Sequence, residues 1–215
     1  MDTSSVDVYL LIDIFLLLLI GVGPKIALVP FLEVTAGMDA ATKARVTRSM
    51  LTTAGVVALI LIVLGELLRK LLHFSTGALS IAGGIILLII AVGMIRGPGD
   101  AQTEHHDASG RDPMRLAVFP LAVPYLLNPV GIVVLVTVSA DATSVRLLAG
   151  VIALLALVLA LDILVFRWAN RVSDHLDAGR MLVTEKVFGV LLAALAVQLA
   201  LNGLADVGVI QLTAH

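Results

Sequence analysis

Lys25 and Asp162 carry charge where charge is most costly, each deep in a long apolar run. A cation near the centre of a bilayer costs at least about 2.5 kcal/mol, so it is kept where it meets a partner, a water-filled cavity or a solute. Two roles fit Lys25: it binds a carboxylate on a solute directly, or it holds an ion pair with Asp162 or Asp13 that changes protonation as the protein works. Asp162, a turn or so before Arg167, is the carboxylate best placed to take up and release a coupling proton, and a structural pair with Lys25 or Arg167 suits it equally. Lys25 sits in Gly21-Val22-Gly23-Pro24-Lys25-Ile26, and a second stretch of the same kind is Leu126-Leu127-Asn128-Pro129-Val130-Gly131. Proline donates no N–H and clashes with the carbonyl four residues earlier, and glycine relaxes the backbone, so a helix through either stretch breaks. Polar groups freed at that depth cost several kcal/mol each unless protein or a water-filled cavity satisfies them, so such breaks persist where they line a site.

A break also leaves the first N–H groups of the following half-helix unpaired, with a partial positive charge of about half an electron. That end suits a carboxylate. Asn128 adds side-chain donors and acceptors, and Gly131 lets a ligand approach the backbone. The candidate binding set is Gly23, Pro24, Lys25 and Ile26 with Asn128, Pro129, Val130 and Gly131; Lys25 and Asp162 are the candidates for coupling or gating. A kink satisfied by a neighbouring helix is the competing reading of either break.

Other polar residues point to simpler roles. Glu66 precedes Arg69 and Lys70 at helical spacing, which predicts an interfacial salt bridge. Asp13 reads as a pore or interfacial residue and Glu33 as interfacial. Gln198 and Asn202, four apart, share a helix face and suit interhelical hydrogen bonding or pore lining, and Gly83-Gly84 suits close helix packing. Glu104-His105-His106-Asp107 lacks the i, i+4 spacing of a helical metal site and reads as a solvated loop, so no metal is expected. No nucleophile–base pairing, P-loop or dinucleotide fingerprint occurs, so neither enzyme nor cofactor is expected.

The elements that must position these residues are membrane helices. The 215 residues are 60% hydrophobic and 14% charged, with a mean hydropathy of +1.08, a balance outside the range of a water-soluble domain. A net charge of −2 offers no basic surface for nucleic acid, and the absence of cysteine removes disulfides and thiolate metal sites. The amino terminus lacks a positive n-region and a cleavage site, so the first apolar run is expected to be a retained span. At 1.5 Å per residue a hydrocarbon core of about 30 Å takes about 20 apolar residues. Six runs qualify, near residues 8–34, 49–68, 75–95, 116–140, 145–166 and 185–204, with a polar linker at 98–115 and an alternating-charge connection at 167–184.

Positive charge sets orientation. The odd loops hold Lys43, Arg45, Arg48, Arg96, Arg111, Arg115, Arg167, Arg171, Arg180 and Lys186, against Arg69, Lys70 and Arg146 on the other side. Both termini are therefore expected outside. A shift of 105 residues lays Pro24 on Pro129 and Gly84 on Gly189. With three spans per half, residues 1–97 and 116–215 must enter the membrane from opposite sides, an inverted-topology repeat with discontinuous first and fourth helices. Chance alignment of apolar sequence is the alternative.

The chain resembles the MarC/SnatA family of six-span inner-membrane proteins. The likeness is carried by Ser80-Ile81-Ala82-Gly83-Gly84-Ile85 with Met94-Ile95-Arg96-Gly97, by Phe119-Pro120-Leu121-Ala122-Val123-Pro124, and by Leu182 to Gly189 continuing through Ala196-Val197-Gln198 to Asn202-Gly203. The resemblance implies transport of small neutral amino acids, the inverted repeat and a central site between the broken helices. Two departures fall at that site: the family's first break usually reads Asn-Pro-x-Gly where this chain has Gly23-Pro24-Lys25-Ile26, and its second reads Gly-Pro-Gly where this chain has Asn128-Pro129-Val130-Gly131. The expectation is an alternating-access exporter of alanine or glycine in the plasma (inner) membrane, coupled to H+ or Na+. A channel for a small anion or solute and a non-transporting scaffold are the alternatives. Oligomeric state is not legible.

Overall fold

The computed structural model describes residues 8–96, 112–141, 144–172 and 178–211. Regular structure among them is helical: α1 (Val8–Gly21), α2 (Pro24–Val34), α3 (Ala40–Leu72), α4 (Thr76–Arg96), α5 (Pro113–Leu126), α6 (Pro129–Asp141), α7 (Val145–Val172) and α8 (Ala178–Asp206). Four of them, α3, α4, α7 and α8, contain a stretch long and apolar enough to cross a membrane, whereas α1, α5 and α6 are shorter apolar pieces. The short pieces run in tandem. Only Val22 and Gly23 part α1 from α2, only Leu127 and Asn128 part α5 from α6, and a proline opens each second piece, where its missing N–H costs nothing.

The long helices overshoot the apolar runs. Asp39 caps α3 by accepting from the Ala41 and Thr42 amides at 2.9 and 3.0 Å, so this helix starts nine residues before residue 49. Left-handed His73 ends it (φ 54°). Similarly α7 and α8 extend into the connection expected at 167–184, and Asp112, accepting from the Met114 amide at 2.9 Å, starts α5 inside the expected linker. Hydropathy sees only the part of a helix that lies in hydrocarbon, whereas capping decides where the helix ends. The cluster Glu104 to Asp107 and the rest of residues 97–111 lie outside the described residues.

The piece α5 is irregular well before its end. Phe119 (φ −139°, ψ 125°) and Val123 (φ −135°, ψ 123°) are extended, each preceding a proline whose ring disfavours the helical region for the residue before it; both peptide bonds are cis. The fourth apolar run is therefore already interrupted at Phe119 and Val123, ahead of the expected break at 126–131.

Packing relies on buried stripes and on small residues. On α3 the stripe is Val46, Met50, Ala54, Ala58 and Ile62; on α7 it is Val151, Leu155, Val158, Asp162, Phe166 and Ala169. Spacings of three and four residues keep each stripe on one face. Between α4 and α8, lipid supplies no hydrophobic drive, and close backbone approach takes its place. A Cβ added to Gly84 would lie 2.7 Å from the Ala196 carbonyl oxygen, one on Gly203 2.6 Å from that of Gly77, and one on Gly189 3.1 Å from that of Ala91. These contacts recur every seven residues along the antiparallel pair. Lys186 Nζ donates to the Ile95 carbonyl at 2.8 Å, satisfying an acceptor in the last turn of α4. The faces turned outward, such as Val56, Val63 and Leu67 on α3 or Leu157 and Leu164 on α7, are exposed and apolar, as a lipid-facing surface requires.

Among the described residues every extensive packing joins a helix of α1–α4 to one of α5–α8: α1 lies on α6 and α7; α2 on α5, α7 and α8; α3 on α5, α6 and α7; α4 on α6 and α8.

Candidate functional site

The two interruptions meet. Val22 and Leu127 form an isolated antiparallel bridge, the Asn128 amide donates to the Gly21 carbonyl at 2.9 Å and the Leu127 amide donates to the Ala122 carbonyl at 2.9 Å. Asn128 is fully buried and both ends of its side chain are used: Nδ2 donates to the Ile20 carbonyl at 2.8 Å and Oδ1 accepts from the Gly131 amide at 3.2 Å. The end of α1 leaves carbonyls unpaired and the start of α6 leaves amides unpaired, so one side chain serves both. Gly21 and Gly131 touch backbone to backbone, and a Cβ on either would overlap the main chain of the other.

The first interruption is built differently. Gly23 is extended (φ −144°, ψ 161°) and precedes Pro24 at the head of α2, with no side-chain cap. A Cβ there would overlap the Leu19 carbonyl oxygen, so this backbone leaves no room for the asparagine that stands at the equivalent place before Pro129. Ile26 is buried and Lys25 is half-buried. No carboxylate among the described residues lies within ion-pair distance of the Lys25 ammonium.

Asp162 is fully buried, and neither carboxylate oxygen has a hydrogen-bond partner among the described residues. It stands one turn from Phe166, whose ring packs edge-on against Phe31 of α2 with centroids 4.9 Å apart. The structure thus does not bring Lys25 and Asp162 together, nor does it pair Asp162 with the exposed Arg167. Asp13 and Glu33 are both exposed. Glu66 does bind Arg69 Nε at 2.8 Å and Lys70 Nζ at 3.0 Å.

A cavity of about 420 Å³ opens between α1, α4, α6 and α8. It runs from the level of Thr76 and Asp206, at helix ends, down to Ile20 and Val130 beside the junction of the interruptions. Of the candidate binding set, Val130 is the member that lines it. Its polar lining is Ser80, Thr137, Gln198 and Asn202 with Thr76 and Asp206 at the mouth, and Gln198 Nε2 donates to Asn202 Oδ1 at 2.8 Å along α8. The sequence points to Gln198 and Asn202 as pore-lining candidates and to Ser80 only within a small-residue stretch, and it gives Thr137 no role; the signal for the cavity is Thr76 and Ser80, four apart at the head of α4. Gly21, read in the sequence as part of the first break, is the residue that touches Gly131; Lys43, read as a loop cation, and Thr47 are buried near the start of α3, where Asn170 Nδ2 donates to Thr47 Oγ1 at 3.1 Å.

Comparison with known proteins matches residues 8–207 to the family described as MarC family integral membrane protein. The UPF0056 membrane protein YvbG of Bacillus subtilis is 30% identical over 190 residues, 86% of this chain and 90% of its own length. The UPF0056 membrane protein MJ1677 of Methanocaldococcus jannaschii is 30% identical over 141 residues, 65% of this chain and 69% of its own length. The UPF0056 membrane protein YhcE of Escherichia coli is 24% identical over 176 residues, 81% and 82% of the two chains. No solved structure matches this chain.

Proposed function

This chain belongs to the MarC family of integral membrane proteins, and on that premise we propose that it is a secondary transporter exporting small neutral amino acids of the alanine or glycine type. The observation that carries the reading is the cavity of about 420 Å³ whose inner end is the junction of two broken spans. A cavity that ends at the touching backbones of two broken spans suits alternating access, in which a central site is reached from one side at a time. Apart from Asp206 at the mouth, the polar groups lining the cavity, Thr76, Ser80, Thr137, Gln198 and Asn202, are uncharged, which suits a solute with no net charge.

In this reading six spans form two oppositely inserted halves, with α1 and α2 making the first and α5 and α6 the fourth. The packing pattern supports it. Exchanging α1 with α5, α2 with α6, α3 with α7 and α4 with α8 turns every extensive packing into another that is present. The solute carboxylate meets the uncapped amides at the head of α2 together with Lys25. Asn128 turns to the solute when its clasp on Ile20 parts, and Asp162 carries the coupling proton. The asymmetry of Lys and Arg supports a reading with both termini outside the plasma (inner) membrane.

The test is uptake and counterflow of labelled alanine and glycine by purified protein in sealed vesicles. Saturable uptake with counterflow is expected, and Lys25→Met is expected to lower it at least tenfold. Flux that neither saturates nor shows counterflow would mean a channel. A protein that shows no flux and no rise in Tm with any amino acid is a scaffold, because a solute that binds the native state must stabilise it.

A further inference from the structure

The bridged residues Val22 and Leu127 are themselves 105 positions apart, so the offset that lays Pro24 on Pro129 makes each the image of its own partner. The same offset converts the contact of Gly84 with Ala196 into that of Gly189 with Ala91. A mapping that carries contacts onto contacts can be applied to the cavity as well. Of its wall residues, Ile20, Val130 and Val133 map to Tyr125, Lys25 and Leu28, and Gln198 maps to Gly93. All four images are half-buried. A Cβ on Gly93 would meet nothing within 4 Å, so there is room beside α4 at the image of the cavity wall.

We propose that Lys25 lines the oppositely facing half of the solute path, in the place that Val130 holds in the cavity, and that it receives the solute carboxylate there. The identity of the solute rests on the transport reading; the placement rests on geometry alone. The two halves of the path then hold the solute by different chemistry. On the cavity side hydroxyl and amide groups contact it. On the other side a half-buried ammonium, with no carboxylate of the described residues in ion-pair range, supplies a charge that the carboxylate neutralises. An amine, an alcohol or an amide without a carboxylate gains nothing from Lys25, so selection for amino acids is made on that side.

The chain has no cysteine, so single-cysteine variants of the full protein report one position each. Asn202→Cys and Val133→Cys probe the cavity, Lys25→Cys and Leu28→Cys its image, and Leu164→Cys, 67% exposed on the lipid-facing side of α7, is the reference. A membrane-impermeant thiosulfonate is applied to one face of sealed, oriented vesicles at a time. The expected result is that the cavity pair reacts from one face and the image pair from the other, each at least tenfold faster than Leu164→Cys. Alanine is expected to slow reaction at Leu28→Cys several-fold, while the double variant Lys25→Met/Leu28→Cys loses that protection. If both pairs react from the same face, or the image pair reacts no faster than the reference, the placement is wrong. Opposite sidedness with protection that survives Lys25→Met overturns the carboxylate role. Leu28→Cys keeps the placement testable should Lys25→Cys not fold, and sidedness needs no transport, so it stands or falls apart from the functional reading.

Discussion

At Asn128 one side chain closes a gap that would otherwise leave a carbonyl of α1 and an amide of α6 unpaired at membrane depth. Each group left unsatisfied costs about 1–3 kcal/mol, so Asn128→Ala is expected to destabilise the protein by roughly 3 kcal/mol, read as a lowered Tm in detergent. Asn128→Asp keeps the acceptor for Gly131 but loses the donor to Ile20 and sets a buried carboxylate oxygen against that carbonyl, so it should destabilise at least as much as Asn128→Ala. Asp162 presents the opposite case: it is a buried carboxylate without a hydrogen-bond partner among the described residues, a group the fold carries at a cost. Asp162→Leu is expected to raise stability by about 1–3 kcal/mol and to abolish proton-driven uptake; a destabilised variant would show that the carboxylate has a structural partner instead. Both residues stand out in the sequence by type and position alone. Their partners could not, because Asn128 Nδ2 reaches a carbonyl 108 residues away in sequence, beyond any local rule.

The helix pair α4 and α8 is set by what its glycines lack. Gly84→Leu would drive a side chain into the backbone of Ala196 and Ala200, and overpacking of this kind costs about 1–3 kcal/mol or more, so loss of folded protein on size-exclusion chromatography is expected. Gly150→Ala makes a useful contrast, since a Cβ there meets only the Leu11 side chain at 3.5 Å; it should be neutral or stabilise α7 by up to about 1 kcal/mol. The Gly83-Gly84 pair was conspicuous in the sequence, whereas Ala91 and Ala196, which complete the seven-residue spacing, were hidden among many other alanines. The unwinding of α5 was equally legible in principle. Pro120 and Pro124 disfavour helix at the residues before them, yet the apolar run around them drowned that signal in hydropathy.

Across the molecule, residues 8–96 and 113–206 interlock and do not sit side by side, since the extensive packings all cross from one set to the other. Among the described residues neither set shows extensive packing within itself, so under the proposed transport reading the moving bodies would each draw helices from both, with the tightly packed α4 and α8 as the natural fixed pair. Chains cut within residues 98–111 and expressed together are accordingly expected to co-purify and regain function, while either piece alone should be degraded or aggregate. The six apolar runs, their order and the two interruptions were visible in hydropathy and proline placement. The mutual contact of the interruptions was not, because it depends on how distant segments fold back on each other. That contact also bears on how variation in this chain would be read. At codons 21 and 131 any amino acid other than glycine puts a carbon where another main chain already runs, so a saturation scan should find both codons intolerant, a signature easily mistaken for ligand recognition at two residues that have no side chain with which to recognise anything.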